Sequence, residues 1–285
     1  MSVLLAGVAA SLLGAGDFFG GLGGRRSRHP GASASIAWVA SCVGTALAGI
    51  FVLVVQPDAF GRADLLWSLA ATVFFSFARP LLYLGIERGP IVVFSPVLGI
   101  VSLVVPTIIG PLTGQDLLGL ELVGVVIAFP AVLLIVSGGE LSLRALVHSR
   151  AAIVLGAITG ALIGGASLCF AQIDPDAGAM PAFVSQLGAV LLIPLIARKI
   201  QPMSPIEPVV RNYGVLVGAI DIIAIISSVI AFQRGNVAVV AAVMGFAPAI
   251  TIALAWRVLD ERVRGWQWVG AALASAAILL FAVSA

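Results

Sequence analysis

The sequence predicts an all-α polytopic membrane protein: ten transmembrane helices built as two inverted five-helix repeats, one over 1–145 and one over 146–285. Three observations predict it. The chain of 285 residues is 61% hydrophobic and only 10% charged, where a soluble domain carries about 25% charged residues. Its mean hydropathy is +1.17, and apolar runs of about 20 residues, the length a helix needs to cross a bilayer core, recur along it. The third is an internal repetition. IERGPIVVFSPVLG at 86–99 aligns without a gap with FQRGNVAVVAAVMG at 232–245, an offset of 146.

Polar punctuation sets the spans in order. The first, 2–22, begins without a basic stretch before it and reads as a span rather than a signal peptide. GGRRSRHPG (23–31) closes it. The second, 32–55, runs to QPDAFGRAD, and the third, 64–86, to an Arg88-Gly89 turn. The fourth and fifth occupy 90–111 and 118–137, before SGGELSLRALVHSR (137–150). The sixth, 152–172, ends at DPDAG, and the seventh, 179–198, at RKIQPMSPIEP. The eighth, 212–232, ends at a second turn, Arg234-Gly235. The ninth, 236–257, ends at DERVRG, and the tenth is 266–284. Pro80, Pro96, Pro106, Pro130, Pro181, Pro194 and Pro248 interrupt the spans. Each frees a backbone carbonyl, and those in spans 3, 4 and 9 are candidate gating kinks. The connections are short, so function is expected within the membrane or at its faces.

The repetition extends further. Residues 2–19 align with 152–169 at an offset of 150, matching Leu12 to Leu162 and Gly14 to Gly164. Five spans is an odd number, so the second half enters the membrane in the opposite sense. Inverted repeats of this kind are a hallmark of secondary transporters, whose substrate site lies near the midplane between the halves. A duplicated scaffold and a channel are the alternatives. Lys and Arg in the connections set orientation. The 1–2, 3–4, 5–6, 7–8 and 9–10 connections hold twelve of them, and the opposite face holds only Arg62 and Arg234. This places the odd connections in the cytoplasm of a plasma-membrane protein and both termini outside.

A net charge of +2 argues against a nucleic-acid partner. Cys42 and Cys169 lie in apolar runs without a CxxC, and His29 and His148 fall in loops, so no metal and no cofactor is expected. No HExxH, Walker A or Ser-His-Asp pattern is present. The chain is not expected to be an enzyme or an ATP-driven pump. GAGD at 14–17 fits the GxGD of intramembrane aspartyl proteases, but Asp221, the other candidate carboxylate, is expected at a different depth. The expected partners are a small-molecule substrate and the bilayer. Gly156, Gly160 and Gly164, spaced GxxxGxxxG, mark a close helix contact, within a monomer or in a weak homodimer.

Ionisable residues inside spans are costly and face a cavity or a partner. Asp17, Arg79 and Asp221 are the clear cases. Asp17 and Arg79 both lie roughly 6–8 Å from the midplane at about 1.5 Å per residue, displaced toward the same face, so they are expected to be able to pair. Arg79 suits an anionic group such as a carboxylate. Asp221 or Asp17 suits an amine or a proton. The alternative is an ion pair that only joins helices. Trp38 and Tyr83 are candidates to stack on an apolar substrate body. Ser41, Ser95 and Gln186 are further candidate binding residues, with Ser167, Ser185 and Ser227 also inside spans. Trp256, Trp266 and Trp268 flank the last turn as interface anchors.

The pattern resembles the drug/metabolite transporter superfamily, in particular its ten-helix members with two EamA-type repeats. The resemblance rests on the five-plus-five spans, the Arg88-Gly89 and Arg234-Gly235 turns, and PAITIALAWRVLDERVRGWQWVGAALASAAILL at 248–280. It implies a secondary transporter working by alternating access, similar to exporters of amino acids, aromatic ones included. It also leaves other metabolites or drugs open. Many relatives are thought to have cytoplasmic termini, which conflicts with the charge tally.

Overall fold

The structure, a computed structural model, describes residues 1–27, 29–88, 91–110, 119–137, 150–200, 202–259 and 265–284. Gly89, the turn at 260–264 and the Ser95 side chain lie outside the described residues. No strand occurs among the described residues. The helices are α1 (Ser2–Arg26), α2 (Ala32–Val54), α3 (Arg62–Arg88), α4 (Ile91–Ile109), α5 (Leu120–Ser137), α6 (Arg150–Phe170), α7 (Met180–Ile200), α8 (Pro208–Arg234), α9 (Val237–Met244), α10 (Ala247–Leu259) and α11 (Gly265–Ser284). A 3₁₀ turn, Pro175–Ala177, precedes α7. Helix is what a bilayer demands, because every backbone N–H and C=O must be satisfied within its own segment. Among the described residues, seven segments are long and apolar enough to cross a membrane, Val237–Val258 among them, and Val97–Ile109, Leu122–Ala131 and Trp268–Ala277 are shorter apolar helices.

Three elements depart from the expected runs. Helix α1 runs on to Arg26, four residues past the expected 22. The ninth is broken at 245–246. Phe246 N–H donates to the Val243 carbonyl at 3.2 Å, three residues back, and Ala249 N–H does the same to Phe246 at 2.9 Å. Pro248 has no amide hydrogen with which to continue the helical ladder. Helix α8, in turn, starts at Pro208, four residues before the expected 212. Proline at the first helical turn gives up only an amide that would be unbonded there anyway.

Packing sorts the helices into two groups. Helix α6 lies against α3 and α4, while α1 lies against α8, α9 and α10. On one flank α2 touches α7 and α8, and α3 touches α7; on the other, α5 packs along α11. The Gly156, Gly160, Gly164 stripe seals α6 to α4. A Cβ at Gly160 would come within 2.6 Å of the Leu98 carbonyl, and one at Gly164 within 2.8 Å of Val105. The close contact that the spacing predicts is therefore inside the chain. Trp256, Trp266 and Trp268 are exposed at the ends of α10 and α11, where anchors belong.

The connections meet in two clusters at opposite ends of α2. At one, Asp58 and Ala59 amides donate to the Asp176 carbonyl at 3.0 and 3.2 Å. The Asp64 carboxylate there accepts from the Gly61 and Asp174 amides at 2.8 and 3.0 Å. At the other end, Ser27 donates to Glu207 at 2.6 Å, Ser35 to the Ser204 carbonyl at 2.9 Å, and Arg26 to the Tyr213 hydroxyl at 2.7 Å. Gly31 enters α2 there with φ of 89°, in the left-handed region that glycine alone adopts without strain. Any Cβ at Gly31 would run into the Pro202 carbonyl.

Candidate functional site

Helix α1 turns a glycine face toward α8 and α3. Gly23 lies against the Tyr213 side chain, Gly20 against the Tyr83 ring, and Gly16 against Asp221. Without side chains at these positions the helices approach closely enough to bring their polar groups together. Asp221 is 3% exposed, and its Oδ2 lies 3.5 Å from Arg79 Nη2. The other guanidinium nitrogen, Nη1, donates to Ser41 Oγ at 3.2 Å, and Ser41 donates in turn to the Ala37 carbonyl at 2.9 Å. Asp221 Oδ1 is packed on Gly16 and has no hydrogen-bond partner. At 3.5 Å the pair is longer than a tight charge-assisted bond of about 2.7–2.9 Å. It is an ion pair held under some slack.

Beside this pair is a cavity of about 120 Å³. A single water takes about 10–15 Å³ measured this way, so the space is far larger than one or two waters need. Asp17, Arg79, Asp221 and Tyr83 give it its polar end. Phe75, Leu82, Leu98, Ile163, Ile225 and Phe232 form apolar walls, with hydroxyls from Ser102, Ser167 and Ser228. Met244 and Gly245, at the break between α9 and α10, complete it. The walls reach Phe232, two residues before the end of α8, so the cavity extends from the charges toward the α8–α9 turn. No cluster able to hold a metal ion is found among the described residues.

The sequence-derived candidates divide. Asp17, Arg79, Tyr83, Asp221 and Ser167 line the cavity, and Ser41 sits behind Arg79. Trp38 instead donates to the Val190 carbonyl at 3.0 Å, between α2 and α7. Gln186, 2% exposed, packs on Gly44 with its Nε2 unpartnered. Ser185 donates to Ala182, and Ser228 rather than Ser227 faces the cavity. The expected Asp17–Arg79 pairing is replaced by Arg79–Asp221. The expected difference in depth between Asp17 and Asp221 also disappears, because Asp221 lies level with Gly16, and α1 runs on to Arg26 so that its middle falls closer to Asp17. The two aspartates thus share a cavity, but Asp221 pairs with Arg79 rather than with Asp17. A protease dyad needs one proton shared between its carboxylates.

The charges sit on both sides of a boundary at residue 151. Residues 151–283 match the model of the EamA-like transporter family. The match implies a membrane transporter, not an enzyme. The EamA-like segment carries Asp221, while Asp17 and Arg79 come from the residues before it. With seven helices among the described residues long and apolar enough to span, the chain is a multi-pass membrane protein. One solved crystal structure aligns with a TM-score of 0.72 over 98% of this chain and 96% of that one, at 15% identity. The likeness is one of fold. No curated protein matches the chain.

Proposed function

We propose that the protein is a secondary transporter that moves small metabolites by alternating access, exporting amino acids, aromatic ones included. The observation that carries this is the Arg79–Asp221 ion pair beside a cavity whose walls come from both halves of the sequence. A charge pair at this depth is costly in a membrane and is usually retained for a substrate or ion pathway.

Packing supports ten spans in two inverted repeats. Exchange each span for its counterpart five places on, and the contacts map onto one another. α1 on α8 becomes α6 on α3, α4 on α6 becomes the α9–α10 span on α1, and α2 on α8 becomes α7 on α3. The pairs α2–α7 and α5–α11 map onto themselves. The bodies that rock are then α3, α4 and α6 against α1, α8, α9 and α10, each drawing helices from both halves. Arg79 stands on the first and Asp221 on the second, so the pair bridges the moving parts. With the odd connections in the cytoplasm, the cavity in this conformation extends toward the outside.

An amino acid would place its ammonium on Asp17 and its carboxylate on the Arg79 N–H groups left over from Asp221 and Ser41. Tyr83 borders the polar end. Phe75, Leu98 and Phe232 would receive the side chain. Ser95, Trp38 and Gln186 remain candidate site residues, Trp38 and Gln186 acting from behind the cavity wall. The test is exchange of labelled amino acids in proteoliposomes, wild type beside Arg79→Ala. Saturable exchange lost in the variant is the expected result. Exchange untouched by the substitution would reduce Arg79 to a helix tie.

A further inference from the structure

We propose that the Ser167 and Ser228 hydroxyls form an acceptor pair at the end of the cavity away from its charges, and that the pair selects aromatic side chains ending in a hydrogen-bond donor over plain phenyl. The proposal rests on the amino-acid reading above and names the class within it. It follows from where the polar groups of the cavity stand. Asp17, Arg79 and Asp221 occupy one end. Ser228 follows Asp221 by seven residues on α8, about 10 Å along the helix at about 1.5 Å per residue. Asp221, Ile225, Ser228 and Phe232 all line the cavity, at the three- and four-residue spacing of one helix face.

Ser167 reaches the same level from α6. Helices α3 and α6 run in opposite senses, because the start of α3 and the residues just past the end of α6 meet where the Asp174 amide donates to Asp64. The Phe74 ring lies against Gly165. From that contact Arg79 is five residues one way and Ser167 two residues the other, again about 10 Å apart along the axes. Helices α6 and α8 end at the same face, where the Gln233 side chain donates to the Asp174 carbonyl at 3.3 Å. The third cavity hydroxyl, Ser102, is not part of the pair. Its amide lies beside Gly160, seven residues back along α6 and level with the charges. Ser167 also holds the position that corresponds to Asp17 at the offset of 150, so the proposed repeat places one acceptor at each end.

What the pair offers is lone pairs. Ser167 donates its hydrogen to the Ile163 carbonyl at 3.0 Å, and Ser228 to the Ile225 carbonyl at 2.9 Å. The two oxygens are left as acceptors, which calls for a donor from the cavity. Between the serines and the charges the walls are apolar, with Phe75, Ile163 and Ile225 among them. An amino acid held by its ammonium and carboxylate at the charged end lays its ring along Phe75 and turns its para position toward the serines. A phenol O–H or a ring amine N–H there meets an acceptor. Each hydroxyl keeps its own bond when plain phenyl fills the site, so no buried donor is stranded and the discrimination is modest. One neutral hydrogen bond is worth roughly 2–10-fold in affinity.

Half-saturating concentrations for phenylalanine, 4-fluorophenylalanine, tyrosine and 4-aminophenylalanine, measured by exchange in proteoliposomes of the full-length protein, test this. The first two carry no donor at the para position, and the last two do. The donors should be taken roughly 2–10-fold more tightly than the non-donors. Fluorine fills the para position without a hydrogen to give, so it should gain nothing over plain phenyl. Ser167→Ala combined with Ser228→Ala should bring the ratio of tyrosine to phenylalanine close to one, and Ser228→Thr, which keeps a hydroxyl, should preserve it. The wild-type comparison needs no variant, so a double variant that fails to fold does not shelter the proposal. Equal affinities for all four, or a preference for tyrosine that survives the double substitution, would overturn it and leave an amino-acid transporter standing. If none of the four is exchanged, the proposal falls together with the amino-acid reading.

Discussion

Arg79 and Asp221 form a buried pair whose members depend on one another. Removing one partner of such a pair typically costs about 3–5 kcal/mol, because the remaining charge stays buried, whereas removing both can be neutral. Arg79→Ala is therefore expected to lower the thermal midpoint in detergent markedly. Adding Asp221→Asn should restore most of that loss without restoring exchange. A double variant no more stable than Arg79→Ala would mean that the pair is not what holds these helices. Gly16 makes a sharper test, since a Cβ there would collide with Asp221 Oδ1, while one at Gly7 meets open space. Gly16→Ala should abolish exchange and Gly7→Ala should leave it unchanged; equal behaviour would remove Gly16 as the seat of Asp221. The three ionisable residues were legible in the sequence because charges in apolar runs stand out. Their partnership was not. It depends on the register of α1 against α8 and α3, which the glycines at 16 and 23 and the glycine at 20 set, and three more glycines in a sequence with 32 of them give no signal alone.

At the scale of the helices, the apolar runs marked every element to within a few residues, because a membrane span is read from composition and length. The break in the ninth run was legible only as a proline. What made it a break is the shift to three-residue hydrogen bonding around Phe246, and Met244 and Gly245 face the cavity there. Pro248→Ala returns an amide that can donate to the Met244 carbonyl and continue the helix. If the break is a hinge, turnover should fall several-fold with little change in apparent affinity, as measured by initial exchange rates over a substrate series. Unchanged turnover would make it a static bend. A second asymmetry lies in α3. Its Ser68, Thr72 and Ser76 are fully or nearly buried, and at the offset of 146 their counterparts on α8 are Gly214, Gly218 and Ile222. The proposed repeat relates where helices go, but not the chemistry of their seams, so Trp38 and Gln186, polar positions on spans that pack elsewhere, were drawn toward a cavity that they do not line.

Across the whole molecule the two end clusters are related as the proposed inverted repeats would relate them. The α2–α3 connection grips the α6–α7 connection at one face, and the α7–α8 connection grips the α1–α2 connection at the other. In each case the bonds join one half of the chain to the other, and a carrier that opens alternately has to loosen them in turn. Asp64 is the centre of the first, through the Gly61 and Asp174 amides. Ser35 belongs to the second, through the Ser204 carbonyl. The two sites allow opposite perturbations of one equilibrium. Ser167 lines the cavity three residues before the end of α6 that joins the first cluster, so it reports access from that face. In a background with Cys42 and Cys169 changed to alanine, Ser167→Cys should react faster with a water-soluble thiol reagent when Asp64→Ala is added. It should react at the same rate or more slowly when Ser35→Ala is added. Clusters that merely stabilise the fold would, when weakened, speed labelling alike, because both substitutions would raise the same unfolded population. A difference in sign between the faces is the property that only a two-sided gate confers.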